Sequence, residues 1–452
     1  MLLVPIAEAE PIVIRPSTLP SAADAKASQR YVYLDVMRAL AVLLVLGAHY
    51  PLRVPEETLA YGFFDLWRRI GWIGVDLFFV LSGFLVGGLL FAEQKRHGRI
   101  NYGRFLIRRT FKIWPSYLAV LFAVVAWDVI KGHGSWSQRL GDTAGRAWPY
   151  LLQIQNYYGP LVDRIGHLWS LAVEEHFYLL LPILLAAMAW YTARRSRKSS
   201  RPASRQPFAA VPLVFVVTLI VSLVMRIVQW RVHPQFDEFT NHWPTHLRID
   251  SLMAGVALAW AIHYAREKVE VLRPWRWAIF AASLACFVPF CFPFANCYMP
   301  FSFTIGYTIL AISASGCVLF AWFSSNGSNG SLSARGLAKI GLFSYSIYLW
   351  HMPFGIPIIR SLRNHLGDGL HLWNSGAFYA FLVLLYVAMA VMWGTVAYVL
   401  IEKPALALRN RWFPSRTSAA VPTTENQPAP NRPTDPYSSN RVPEITYQPA
   451  AA

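Results

Sequence analysis

Runs of about 20 predominantly apolar residues recur along almost the whole chain, and each is long enough to cross a bilayer as one helix. They fall at residues 33–52, 72–91, 107–130, 168–191, 209–230, 246–264, 275–294, 301–323, 337–359 and 376–401. The expected fold is all-α, a polytopic transmembrane bundle of about ten helices, and an even number puts both termini on the same side. Composition agrees: 14% of the 452 residues are charged, where a soluble domain carries roughly a quarter.

The distribution of lysine and arginine sets the orientation, because short basic connections stay in the cytoplasm. After the second span come Lys95, Arg96, Arg99, Arg104, Arg108, Arg109 and Lys112 against Glu93, and after the fourth the acid-free run RRSRKSSRPASRQP. The alternate connections are balanced, with Arg53, Arg68 and Arg69 against Glu56, Glu57 and Asp65, and Arg231 against Asp237 and Glu238. Both termini are therefore expected in the cytoplasm. The formal charge of +17 reads as a topology signal and does not imply nucleic-acid binding. Residues 1–30 lack the basic start and continuous apolar core of a cleaved signal peptide and are expected to be a disordered cytoplasmic segment. The Pro-, Ser-, Thr- and Asn-rich end, residues 406–452, is expected to be a disordered cytoplasmic tail.

Chemistry in such a chain must come from polar groups inside the membrane. The first span reads RALAVLLVLGAH over residues 38–49. The spacing of Arg38 and His49 returns both side chains to within roughly 20° of one helix face, roughly 16 Å apart in depth. Taken alone, a snorkelling arginine and an interfacial histidine explain this pair equally well. Asp76, Glu174, Glu175, Arg248, Asp250 and His351 fall at a depth similar to that of His49, on four further helices. Burying them requires mutual pairing or a wet cavity, and intramembrane ionisable groups mark function by default. Adjacent Glu174 and Glu175 point about 100° apart, so one at most faces a common centre. His246 and Asp250 share a helix face and could pair. On the cytoplasmic side Arg104, Arg108, Arg109 and Lys112, with Arg38 nearby, suit the phosphates of an anionic cosubstrate, although positive-inside decoration gives the same pattern. Pro115 is expected to kink the third helix there.

Other features carry less chemistry. Gly83 and Gly87 form a small-xxx-small pattern that marks close helix packing. Trp72, Trp169 and Trp243 read as interfacial anchors. Cys286, Cys291, Cys297 and Cys317 lack metal-ligand spacing, so no metal is expected. No phosphate-binding glycine loop, zinc-protease helix or nucleophile elbow is visible.

Taken in order, the Arg38/His49 pair, GVDLFFVLSGFL, the basic turn before Pro115, WSLAVEEHFYL, RIDSLMAG and FSYSIYLWH resemble the acyltransferase-3 family of integral membrane acyltransferases. The resemblance covers about residues 31–405, which it marks as the membrane acyltransferase domain. It implies transfer of an acyl group, usually acetyl, from cytosolic acyl-CoA to a hydroxyl of a carbohydrate or glycolipid outside, in the bacterial cytoplasmic membrane. Arg38 and His49 match the family's first-helix pair, Arg109 and Lys112 its basic pair, and Glu174 its fourth-helix acid. Lys112 stands where arginine is usual and lacks the planar fork for phosphate. His176 stands where glutamine is common. Some members carry an added outward esterase-like domain, and none is expected within these residues.

The expected site follows. Arg38, Arg108, Arg109 and Lys112 hold the acyl-CoA phosphates. His49 is general base or transient acyl carrier, oriented by Glu174 or Asp76. Arg248, Asp250 and His351 contact the acceptor. The rival reading is a proton-coupled transporter or exporter of a polar solute, in which the same carboxylates and histidines relay protons.

Overall fold

The computed structural model describes residues 31–58, 61–131, 135–197, 206–292, 298–325, 330–370 and 375–414. The expected N-terminal segment, Cys297 and residues 415–452 of the expected tail lie outside the described residues. The longer helices are α1 (Val32–Ala48), α2 (Tyr61–Ile70), α3 (Ile73–His97), α4 (Tyr102–Lys131), α5 (Trp136–Leu151), α6 (Trp169–Arg197) and α7 (Val211–Val232). They continue as α8 (Ile249–Tyr264), α9 (Arg276–Phe287), α10 (Tyr307–Ser325), α11 (Leu332–Trp350), α12 (Ile356–Leu370), α13 (Gly376–Ala397) and α14 (Lys403–Trp412). Among the described residues there is no strand. This is what a lipid environment demands, since a helix satisfies its backbone hydrogen bonds internally.

Seven stretches among the described residues are long and apolar enough to cross a membrane, and α8 is apolar but shorter. The expected count of about ten is not reached by that measure, because α1 has only 17 residues and α11 begins with the polar run LSARGLAK. The expected tail is also shortened: residues 406–412 belong to α14, where Leu406 and Arg409 are buried. Two contacts hold that end down. The Arg108 guanidinium donates to the Phe413 carbonyl, and Phe111 packs edge-on against Trp412 with centroids 5.9 Å apart. Helix α4 runs unbroken through Pro115.

Helix α3 and the stretch Ser302–Ser325 form the centre, each 72% buried along its apolar window, whereas α7 and the stretch Arg266–Cys291 are 17% and 11% buried and face the lipid. Helix α8 packs along α3, and α11 along α1. Both contacts bring backbone to backbone. A Cβ at Gly83 of α3 would stand 1.9 Å from the Leu252 carbonyl oxygen, one at Gly255 of α8 would stand 2.1 Å from that of Val80, and one at Gly341 of α11 would stand 1.8 Å from that of Asp35. The Gly83 pattern therefore marks helix packing, as its spacing predicts.

Between α4 and α6 the chain forms α5, started by a capping box in which the Gln138 amide donates to Ser135 Oγ and the Ser135 amide donates to Gln138 Oε1. Gly83→Ala is expected to lower stability by about 1–3 kcal/mol, because the backbones cannot separate without opening the core. Gly141→Ala, where a Cβ meets nothing within 4 Å, does not lower it. Thermal unfolding of the two variants in detergent checks the contrast.

Candidate functional site

Three imidazoles meet at the C-terminal ends of α1 and α11 and the N-terminal end of α6. His49 follows the last turn of α1, His167 lies in the short helical turn Asp163–Leu168 that leads into α6, and His351 opens a π-helical turn, His351–Gly355. Their ring centroids are 6.1 Å (His49–His167), 5.1 Å (His49–His351) and 5.0 Å (His167–His351) apart. His167 and His351 are buried, while His49 is partly exposed.

Proline 353 explains the local fold. It has no amide hydrogen, so it cannot donate to the Leu349 carbonyl one helical turn earlier. The backbone widens into a π turn, and the freed Leu349 oxygen is met by His167 Nε2 at 3.3 Å. Since a carbonyl oxygen only accepts, these contacts fix the proton on each ring. His167 carries it on Nε2. His351 carries it on Nδ1, 2.7 Å from the Tyr348 carbonyl oxygen, and His49 on Nδ1, 3.0 Å from that of Val45. His351 Nε2 therefore holds a lone pair, and it lies 3.2 Å from His49 Nδ1, sharing with the Val45 carbonyl the single hydrogen that nitrogen carries. His49 Nε2 is left as a basic nitrogen.

A cleft with about 750 Å³ of empty volume, part of it open to solvent, is lined by Ser170 and Tyr348, which contact the cluster, but by none of the three histidines themselves. Its polar lining includes Arg38, Arg109, Lys112, Glu174, Tyr178 and Tyr348. Arg109 lies over the Tyr178 ring, 4.4 Å from its centroid, and makes no ion pair among the described residues. Tyr178 donates to Glu174 Oε2 at 2.9 Å and touches Ser82. Elsewhere in the lining Tyr348 shares a 2.6 Å hydrogen bond with Ser170 and donates to the His167 carbonyl oxygen at 2.7 Å. The lining is thus hydrogen-bonded to the backbone of the residue that carries the second imidazole.

Several expected site residues go elsewhere. Asp76 does not orient His49; its Oδ1 accepts from Arg248 at 2.9 Å and from Ser251 at 3.3 Å. Asp250 pairs with Arg226 at 2.8 Å, and Arg226 also donates to Thr308 at 2.8 Å. All four charged side chains have 0% exposure. Arg248 and Asp250 are thereby bound into a packing knot, a position that does not favour acceptor contact. Over it lie Tyr307, 3.7 Å from the guanidinium, and Trp169 at 5.6 Å. Trp72, Trp169 and Trp243 are accordingly buried around this knot and are not interfacial anchors.

Within the expected basic cluster Lys112 pairs with buried Glu402, which Ser346 also holds at 2.8 Å, and Arg38 lies 3.5 Å from Asp35. Arg108 serves the end of α14 and does not line the cleft. His176 meets Thr245 at 2.7 Å and His246 meets Tyr157 at 3.1 Å, so the possible His246–Asp250 pair does not form. Of the two adjacent acids, Glu174 faces the cleft and Glu175 does not.

Sequence reasoning missed His167, Arg226 and Glu402. Arg226 and Glu402 are lone charges inside or at the end of apolar runs, which is a sufficient signal. His167 was hidden by its place before the span. Among the described residues no group of three or more His, Cys, Asp or Glu is arranged to hold a metal ion.

Residues 31–397 match the family model described as an acyltransferase domain. The chain is similar to a peptidoglycan O-acetyltransferase of Listeria monocytogenes, 29% identical over 72% of this chain and 50% of that protein. It is also similar to a putative peptidoglycan O-acetyltransferase of Bacillus subtilis, 26% identical over 85% of this chain and 56% of that one. An O-acetyltransferase of Staphylococcus aureus is 24% identical over 87% of this chain and 59% of its own length. The chain thus spans about half the length of the curated relatives it matches. No solved structure matches it.

Asp76→Ala strands the Arg248 guanidinium in the bundle, so it is expected to cost about 3–5 kcal/mol and to lower both melting temperature and abundance. A variant that melts like the wild type would show that Asp76 is not part of a structural pair.

Proposed function

The chain belongs to the acyltransferase domain family and is an integral protein of a bacterial membrane, and on that premise we propose that it transfers an acyl group, acetyl in the first instance, from cytosolic acyl-CoA to a hydroxyl of an extracytoplasmic carbohydrate or glycolipid. The observation that carries this reading is the cleft itself, with the Arg109 cation at one part of its lining and Ser170 and Tyr348 beside the histidine cluster at another. In this reading the cations of the lining would receive an anionic donor, and Ser170 and Tyr348 lie between that lining and the histidine cluster. The names of the curated relatives, O-acetyltransferases of bacteria, support the same class of acceptor.

In this reading both termini are cytoplasmic and the basic mouth meets the donor. Arg109, with Arg38 beside it, takes the phosphates, because charge-assisted contacts to phosphate are about twice as strong as neutral hydrogen bonds. Lys112, already paired with Glu402, contributes less to the donor. Glu174 and Tyr178 shape the passage. His49 acts at the acyl carbon or the acceptor hydroxyl through Nε2, with its ring held by Val45 and His351. His351 does the orienting work that a carboxylate does in many catalytic histidine pairs, without adding a charge to the membrane interior.

His49→Ala is expected to lower transfer by about 10²–10⁴ while the protein remains inserted and folded. Arg109→Ala raises the acyl-CoA concentration needed for half-maximal rate more than it lowers the maximal rate. Both are read from acetyl incorporation into envelope glycans by membranes given labelled acetyl-CoA. Near-normal incorporation by His49→Ala contradicts the assignment.

A further inference from the structure

We propose that His167 is a second catalytic base: His49 Nε2 carries the acyl group and His167 Nδ1 takes the proton from the acceptor hydroxyl. The inference deepens the acyl-CoA reading above and rests on it. Its basis is that two of the three rings keep an unprotonated nitrogen that accepts no hydrogen bond among the described residues. His167 gives its only hydrogen, on Nε2, to the Leu349 carbonyl. Its Nδ1 is buried and has no hydrogen-bond partner among the described residues. A buried nitrogen lone pair without a donor is a standing cost, and a structural histidine would satisfy it.

The neighbours fix this ring directly behind two residues of the cleft lining. Its backbone carbonyl accepts from Tyr348, whose hydroxyl lines the cleft with Ser170. Its ring stands 5.2 Å from that of Tyr348 and 6.1 Å from that of His49, centroid to centroid. His351 cannot take the role, since its Nδ1 hydrogen goes to Tyr348 and its Nε2 accepts from His49.

One basic nitrogen suffices for direct transfer, whereas a covalent route needs two. Once His49 Nε2 is acylated it has no lone pair with which to deprotonate the acceptor. In the first step the His49 Nε2 lone pair attacks the thioester carbonyl carbon, the N–C bond forms and the C–S bond breaks. The sulfur leaves as thiolate with the bonding electrons, and His49, still protonated on Nδ1, becomes an acyl-imidazolium. In the second step the acceptor oxygen attacks the same carbon while its proton passes to His167 Nδ1. The C–N bond breaks and its electron pair returns to His49 Nε2. The thiolate then takes the proton from His167, so the sum is thioester plus alcohol to ester plus thiol.

His167→Gln separates the two roles, because the glutamine amide can still donate to Leu349 but has no basic nitrogen. Full-length protein in detergent is given acetyl-CoA and radiolabelled free CoA without acceptor, and exchange of label into acetyl-CoA reports the first step. Transfer is then measured with a soluble N-acetylglucosamine oligomer as the acceptor probe. The wild type is expected to do both, and His167→Gln to retain exchange while transfer falls by about 10²–10⁴. Wild-type transfer without exchange overturns the proposal and leaves the acyl-CoA reading standing. Transfer by His167→Gln at the wild-type rate overturns it, as does an equal loss of both reactions, which marks His167 as structural. If the wild type shows neither reaction, the acyl-CoA reading fails and this inference fails with it.

Discussion

Two guanidinium–carboxylate pairs without solvent contact, Arg248 with Asp76 and Arg226 with Asp250, fix how the centre of the bundle assembles. Charges in a bilayer must find partners within the protein, and these four come from α3, α7, α8 and the residue that caps α8. The match is incomplete: Asp76 Oδ2, Asp250 Oδ1 and both arginine Nε atoms lack hydrogen bonds among the described residues. Such a knot stabilises less than its Coulomb attraction suggests, and its consequence is register. It pins α8 to α3 where Gly83 and Gly255 let the backbones touch. It also seats Trp169, the first residue of α6, against the Arg248 guanidinium. His167 lies two positions before that tryptophan, so the placement of the imidazole cluster inherits the placement of the knot.

A second constraint is the missing amide hydrogen of Pro353. One absent donor turns a helix end into a π turn, frees the Leu349 oxygen and thereby decides which nitrogen of His167 keeps its lone pair. Backbone carbonyls then select the tautomers of His49 and His351 as well. No carboxylate is hydrogen-bonded to any of the three rings among the described residues, so the site holds neutral bases without importing a negative charge into the membrane.

Much of the helical architecture was legible because apolar run length acts locally: each expected span contains a helix, and Gly83 marked a close crossing. The site was legible only in part. Depth along a helix placed His49, Asp76, Arg248 and His351 in one layer, but depth says nothing of which neighbours meet within that layer. The layer divides into an imidazole cluster and a salt-bridged knot, a division set by helix rotation about its axis. Arg226 was the decisive omission, since its charge supplies Asp250 with a partner and leaves Asp76 to Arg248. Glu402 likewise claims Lys112 from far along the chain, a pairing no local pattern announces. Arg109 and Glu174 do line one cleft, but His49 is held by the Val45 carbonyl and His351 in place of the expected Glu174 or Asp76 carboxylate.

The central claim is that an acyl group crosses from a donor on the basic face to a hydroxyl on the opposite face. Sealed vesicles holding the purified protein in one orientation, with labelled acetyl-CoA confined to the side of the basic connections and an N-acetylglucosamine oligomer on the other, test it most directly. Label on the oligomer, with free CoA released on the donor side, is the predicted result. Passage of label across the membrane with the thioester intact, or no consumption of acetyl-CoA from either side, contradicts it and favours a transporter.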